Sequence, residues 1–122
     1  MDKKEIAVEF LKMAARGEVD EAYEKYVSPD FHHHNPYFKS DRETLRLAMK
    51  EAAVQNPNKI YEVRRTIEEG NLVAVHGRLV LESGNKEMAV VHILRFEGNK
   101  IVEEWEAGNE IPADSQNEDG AF

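Results

Sequence analysis

The chain contains no cysteine. Disulfides, thiolate nucleophiles and cysteine-based zinc sites are therefore excluded, and the composition suits a reducing cytoplasm. A basic run is also missing. The 16 Lys and Arg residues are dispersed among 24 Asp and Glu, for a formal net charge of −8. Binding a phosphate backbone requires clustered positive charge, so no nucleic-acid partner is expected. The longest apolar runs, such as Met88 to Leu94, are too short to cross a bilayer, so no membrane partner is expected either. The amino terminus enters an amphipathic segment directly, with no h-region, so a secretory signal is not expected. Nucleophile elbows, phosphate-binding glycine loops and HExxH metal motifs do not occur.

What remains is a chain of 122 residues, 41% hydrophobic and 33% charged. That is enough for one domain with a modest core. In residues 2–15, Ile6, Phe10, Met13 and Ala14 recur at helical spacing, with Gly17 as the stop. A second short helix is expected over Glu18 to Tyr26. Phe31 to Phe38 cannot be a long helix, because Pro36 restricts Asn35, and is expected to be an extended segment or short strand followed by a loop. Ser40 and Glu43 fit a capping box that opens a third helix, which carries Leu45, Ala48, Met49 and Ala52 on one stripe.

Beyond Lys59 the periodicity changes to that of strands. Gly70-Asn71, Gly84-Asn85 and Gly98-Asn99 recur fourteen residues apart and suit two-residue hairpin turns. Four strands, roughly 59–69, 72–82, 87–97 and 100–107, then form an antiparallel meander. Helices first and sheet second make an α+β fold, with N-terminal helices packed on a curved antiparallel sheet. The domain should span residues 1–110, leaving 111–122 as a C-terminal tail.

Uninterrupted pairing outward from the turns sets His92 opposite Trp105, Leu94 opposite Glu103 and Gly77 opposite His92. His92, Glu103 and Trp105 would share the helix-facing side with Val90 and Leu94. Arg65, His76, Arg78, Glu104 and Glu106 would face away. A three-residue second turn would instead set His76 against His92. An imidazole on an apolar face needs a partner, and Glu103 is the expected one. Such a pair suits general acid–base catalysis, although a histidine that merely fills the core has the same pattern. In the run His32-His33-His34, strand alternation sends only two rings to one side, so no metal site is expected.

Phe31-His32-His33-His34-Asn35-Pro36 resembles the HNP segment of SnoaL-like proteins, of the nuclear transport factor 2-like superfamily. Ile101-Val102-Glu103-Glu104-Trp105-Glu106 resembles their "KIVEhWD" strand. Ile111-Pro112 and Ser115 to Phe122 resemble their closing motif. The resemblance implies a cone-shaped α+β fold with a pocket between helices and sheet, usually dimeric through the sheet. It includes cofactor-free polyketide cyclases that use an acid–base Asp at a place taken here by His92. The expected activity is proton transfer next to a carbonyl, with His92 and Glu103 as catalytic residues and no cofactor. Trp105, His34, Asn35, Val90 and Leu94 are expected to contact an unknown small organic molecule. A non-catalytic binding or association module on the same fold is the rival, and a hydrolase using an activated water is a third reading.

Overall fold

The structure is a computed structural model that describes residues 1–81 and 84–122. The order of elements is α1 (Lys3–Ala15), α2 (Val19–Tyr26), β1 (Val27–His33), α3 (Arg42–Gln55), β2 (Ile60–Glu69), β3 (Leu72–Leu81), β4 (Lys86–Glu97) and β5 (Lys100–Glu110). The helices pack on a five-stranded sheet of order β1-β5-β4-β3-β2, which stays open because β1 and β2 are its edges. Strands β2 to β5 form the expected meander. Of the expected segment, Phe31 to His33 complete β1, which pairs parallel with β5 and makes the sheet mixed, and the loop follows from His34.

Each helix forms where its sequence can bury a stripe. In α1, Ile6, Phe10, Leu11, Met13 and Ala14 are buried, and Asp2 and Glu5 form a reciprocal capping box at its start. Gly17 follows at φ 89°, a left-handed stop that glycine adopts without penalty. Helix α3 buries only Leu45 fully and holds Met49 partly buried, so it is a light cover over the sheet. Its N-cap is Asp41, not the expected Ser40. The Asp41 carboxylate accepts from the Thr44 backbone N–H at 2.9 Å and from the Thr44 hydroxyl at 2.7 Å. The Ser40 carbonyl meanwhile accepts from the His33 N–H at 3.0 Å, which ties this residue to the end of β1.

Two departures in register govern the rest. At the second hairpin, Leu81 pairs with Lys86, so Val75 faces His92 and Gly77 faces Val90. Pairing is displaced by two residues from the expected register, which leaves every side chain on its expected face. The two-residue turn expected there involves Ser83, which with Glu82 lies outside the described residues. At the third hairpin, Glu97 pairs with Lys100 and Phe96 with Ile101 as expected, but Arg95 then pairs with Glu103. Val102 is the extra residue of a β-bulge. From there on the faces exchange: His92 lies opposite Glu106, Leu94 opposite Glu104, and Ile93 opposite Trp105. The expected inward placement of Glu103 and Trp105 is thereby corrected, as is the outward placement of Glu104 and Glu106.

The bulge lets Ile101 and Val102 both be buried, where strict alternation would expose one of them. It also sets Glu103 beside Arg95, with Arg95 Nε donating at 2.8 Å, on the outer face. The tail returns across that outer face. Phe122 lies against His76 with ring centroids 5.7 Å apart and beneath the Arg64 guanidinium at 5.0 Å.

Replacing the observed cap should be felt and replacing the expected one should not. Asp41→Ala should lower unfolding free energy by about 1 kcal/mol. Ser40→Ala should change it by less than about 0.5 kcal/mol. Urea denaturation midpoints of the two variants check the assignment.

Candidate functional site

The centre of the inner face is a group of polar residues in an apolar frame. Strand β4 presents Val90, His92 and Leu94 inward, and β5 presents Glu104 and Glu106 beside them. His92 Nε2 lies 3.2 Å from Glu106 Oε2. Asn35, just past β1, donates its amide N–H to Glu106 Oε1 and holds that carboxylate from the other side. His33, paired with Glu104, is buried and fully satisfied: Nδ1 accepts from the Asn35 N–H at 3.0 Å and Nε2 donates to the Lys39 carbonyl at 2.6 Å. It fixes the loop that delivers Asn35.

Two adjoining cavities share His92, Met49 and Glu106. One, of about 150 Å³, is also bounded by Ala14, Ala15, Tyr61 and Val90. The other, of about 190 Å³, is also bounded by Asn35, Ala48, Ala52 and Glu104. Alanines on the sheet-facing sides of α1 and α3 leave this space because larger side chains there would fill it. The Tyr61 ring packs over Gly77, where a Cβ would come within 2.7 Å of it. Tyr61 meets His92 edge-on with ring centroids 6.2 Å apart. The Tyr61 hydroxyl and His92 Nδ1 are both buried and have no hydrogen-bond partner among the described residues. Buried polar atoms are nearly always satisfied in native proteins, so two unsatisfied ones beside a cavity depart from the rule.

The charges are tuned apart. Burial pushes the Glu104 carboxyl up to about 7, aided by the charge of Glu106 and opposed by that of His92. The hydrogen bond from His92 outweighs burial at Glu106 and holds it below the usual carboxylate range. Burial lowers His92, but the hydrogen bond to Glu106 and the charges of Glu104 and Glu106 together raise it above its ordinary value. Two neighbouring carboxyls displaced in opposite directions, one of them bonded to an imidazole, form an arrangement suited to moving a proton.

The expected site residues divide between the two faces. His92, Val90 and Asn35 meet at the cavities, whereas Leu94 is fully buried in the core and borders neither one. Glu103, Trp105 and His34 lie together on the opposite side of the sheet. There, Glu103 Oε2 accepts from His32 Nε2 at 3.0 Å and from His34 Nε2 at 2.7 Å. The His34 ring stacks on Trp105 at 5.1 Å and 3°. Its hydrogen bond with His34 is the main reason Glu103 falls to about 2, with Arg95 and His32 adding to it. Glu104, Glu106 and Tyr61 were not expected at the site. The available signal was the apolar pair Ile101-Val102 immediately before two glutamates, together with the opposite charges of Arg95 and Glu103.

An α+β layer of helices over an open, cone-like sheet, with a cavity between, defines a class of small pocket-bearing domains. Within that class, residues 7–104 match the SnoaL-like domain model, and the chain belongs to that family. None of the curated proteins matches its sequence. Among solved structures, the chain is similar to AclR, a proposed hydroxylase from Streptomyces galilaeus, at 21% identity and TM-score 0.74 over 88% of each chain. It is also similar to IdmH, a proposed polyketide cyclase from Streptomyces antibioticus, at 18% identity and TM-score 0.73, covering 89% of this chain and 93% of that one. An uncharacterised cystatin-fold protein from Novosphingobium aromaticivorans gives 19% identity and TM-score 0.76, covering 88% and 98%. At these identities the likeness establishes the fold.

The elevated Glu104 predicts a specific pH dependence. Folded Glu104 keeps its proton up to about pH 7, whereas an ordinary glutamate releases it near 4.5. The folded state therefore binds more protons between these values, and stability falls as pH rises through that window. The contribution of His92, whose pKa is raised from 6.5, is lost only at higher pH. Glu103 and Glu106, held low, add stability as pH rises through 4.5 and have completed that gain by about 5.5, so the stretch from about 5.5 to 6.5 reports Glu104. Glu104→Gln should flatten the decline, by on the order of 1–3 kcal/mol. Urea titrations at several pH values measure it, and an unchanged slope would place the buried charge elsewhere.

Proposed function

We propose that this SnoaL-like domain is a small-molecule pocket protein that catalyses cofactor-free proton transfer next to a carbonyl, in a lyase, isomerase or cyclase step. The observation that carries this reading is the convergence of His92 and Glu106 on two alanine-walled cavities, the second of which Glu104 also lines. His92 is the proton-transfer group. Glu106 orients it through Nε2, which leaves Nδ1 as the nitrogen free to exchange a proton with a ligand. Glu104 is a second acid–base group, since a carboxyl near neutrality can both take and return a proton. The Tyr61 hydroxyl can donate to a carbonyl oxygen, and Val90 forms part of the apolar wall. Glu103, on the far face, takes no part. The cyclase description given to IdmH agrees with this chemistry.

Binding without turnover is the second reading. One observation favours it: each cavity is smaller than the roughly 300 Å³ at which ligand pockets usually begin. We also propose a homodimer through the outer face of the sheet, where Val91 and Ile93 are half-buried although they point away from the helices.

Hydrogen–deuterium exchange at carbon, followed by NMR on aryl methyl ketones and β-keto esters in heavy water, tests the catalytic reading. The protein should accelerate exchange next to the carbonyl, and His92→Ala should reduce that acceleration by about 100-fold or more. Saturable binding without acceleration would leave the pocket as a binding site only. Acceleration that survives His92→Ala would remove His92 from the mechanism. Light scattering at micromolar concentration should give the mass of a dimer, and a monomeric mass would refute the outer-face interface.

A further inference from the structure

The cluster on the outer face has no role in the pocket, and its chemistry is different. We propose that His32, His34 and Glu103 form a binding site for a divalent transition metal of the zinc type. His32 Nε2 and His34 Nε2 converge on the same oxygen, Glu103 Oε2, at 3.0 and 2.7 Å. The three donor atoms lie within 4.8 Å of one another. Ligands about 2.0–2.1 Å from a tetrahedral ion stand roughly 3.3 Å apart, so opening the cluster by a few tenths of an ångström admits the ion. Two imidazoles and one carboxylate are a zinc donor set that leaves a position open. Both imidazoles stand at the β1 edge of the sheet and are 46% exposed in the single chain, so water can reach that position and the ion can enter from the edge.

Each donor is positioned by a separate neighbour. The His34 ring lies flat on Trp105, and its backbone N–H donates to the Glu104 carbonyl at 3.0 Å. His32 stands directly beside Glu103 in the parallel ladder. Arg95 Nε binds the other carboxylate oxygen, Oε1, at 2.8 Å and leaves Oε2 turned to the histidines. Outer contacts of this kind orient metal ligands and are felt in affinity. The Arg95 charge opposes a cation nearby, while the bond it makes fixes the carboxylate. Strand alternation supplies only two histidines to one side, which is why no site was expected. The third ligand comes from β5, because the bulge at Val102 turns Glu103 to that face.

Trp105 is the single tryptophan of the chain, so the site contains its own reporter. Untagged full-length protein, freed of metal by chelation and dialysis, is titrated with Zn²⁺ by calorimetry and with Cu²⁺ by tryptophan fluorescence. One Zn²⁺ per chain should bind with micromolar or better affinity, and Cu²⁺ should quench Trp105 at the same stoichiometry. His34→Ala and Glu103→Gln should each weaken binding by roughly 10–100-fold or more, while His76→Ala leaves it unchanged. Thermal unfolding of the metal-free variants checks that they fold. Absence of micromolar binding, or binding unaltered in folded His34→Ala, would overturn the proposal.

Discussion

Side chains along a strand alternate with a period of two, so a single inserted residue exchanges the two faces of all that lies beyond it. In β5 the inserted residue is Val102, and both chemical features of the molecule depend on it. With the bulge, Glu104 and Glu106 point under the helices toward His92. Glu103 and Trp105 point outward to His32 and His34. Without it, Glu103 would be set against Leu94 in the core, and Arg95 would lose its cross-strand partner. The energetic preference is clear: Ile101 and Val102 both stay buried, and the carboxylate at 103 finds Arg95 and two imidazoles.

Sending two carboxyls inward has a cost that the surrounding residues only partly offset. An isolated buried charge is prohibitively unfavourable, so a buried carboxyl must be paired or must hold its proton. Glu106 is paired, with His92 on one side and Asn35 on the other. Glu104 holds its proton up to about pH 7 instead. With two unsatisfied polar atoms close by and little of α3 buried, the inner face is far from a stability optimum. Sites arranged for proton transfer are commonly of this kind, because perturbed acidities arise from the same desolvation that destabilises the fold.

The SnoaL-like fold supplies a cavity by geometry, since helices lying across a curved sheet cannot contact all of it. What the cavity does is decided by a few positions. Here alanines on α1 and α3 set its volume, and β4 and β5 set its charges. Membership of the family therefore says more about the place of the site than about its reaction.

The sequence by itself determined the elements. Helical and strand periods, the glycine stop after α1 and the glycine-asparagine turns after β2 and β4 are local signals, each carried by residues close together in the chain. It also placed His92 on the inner face, since a register shift of two at the second hairpin leaves faces unchanged. Only the tertiary structure decided which glutamate His92 meets, because the local hint of a bulge, the apolar pair Ile101-Val102 ahead of two glutamates, fits an uninterrupted strand equally well. It arises from competition between burying two adjacent apolar side chains and keeping the ladder regular. The parallel pairing of β1 with β5 was equally invisible, since it joins residues some seventy positions apart. That long-range pairing brought Asn35 to Glu106 and two histidines to Glu103. Contacts between distant segments depend on how the whole chain packs, and a strand's alternation specifies its faces without naming what lies across from them.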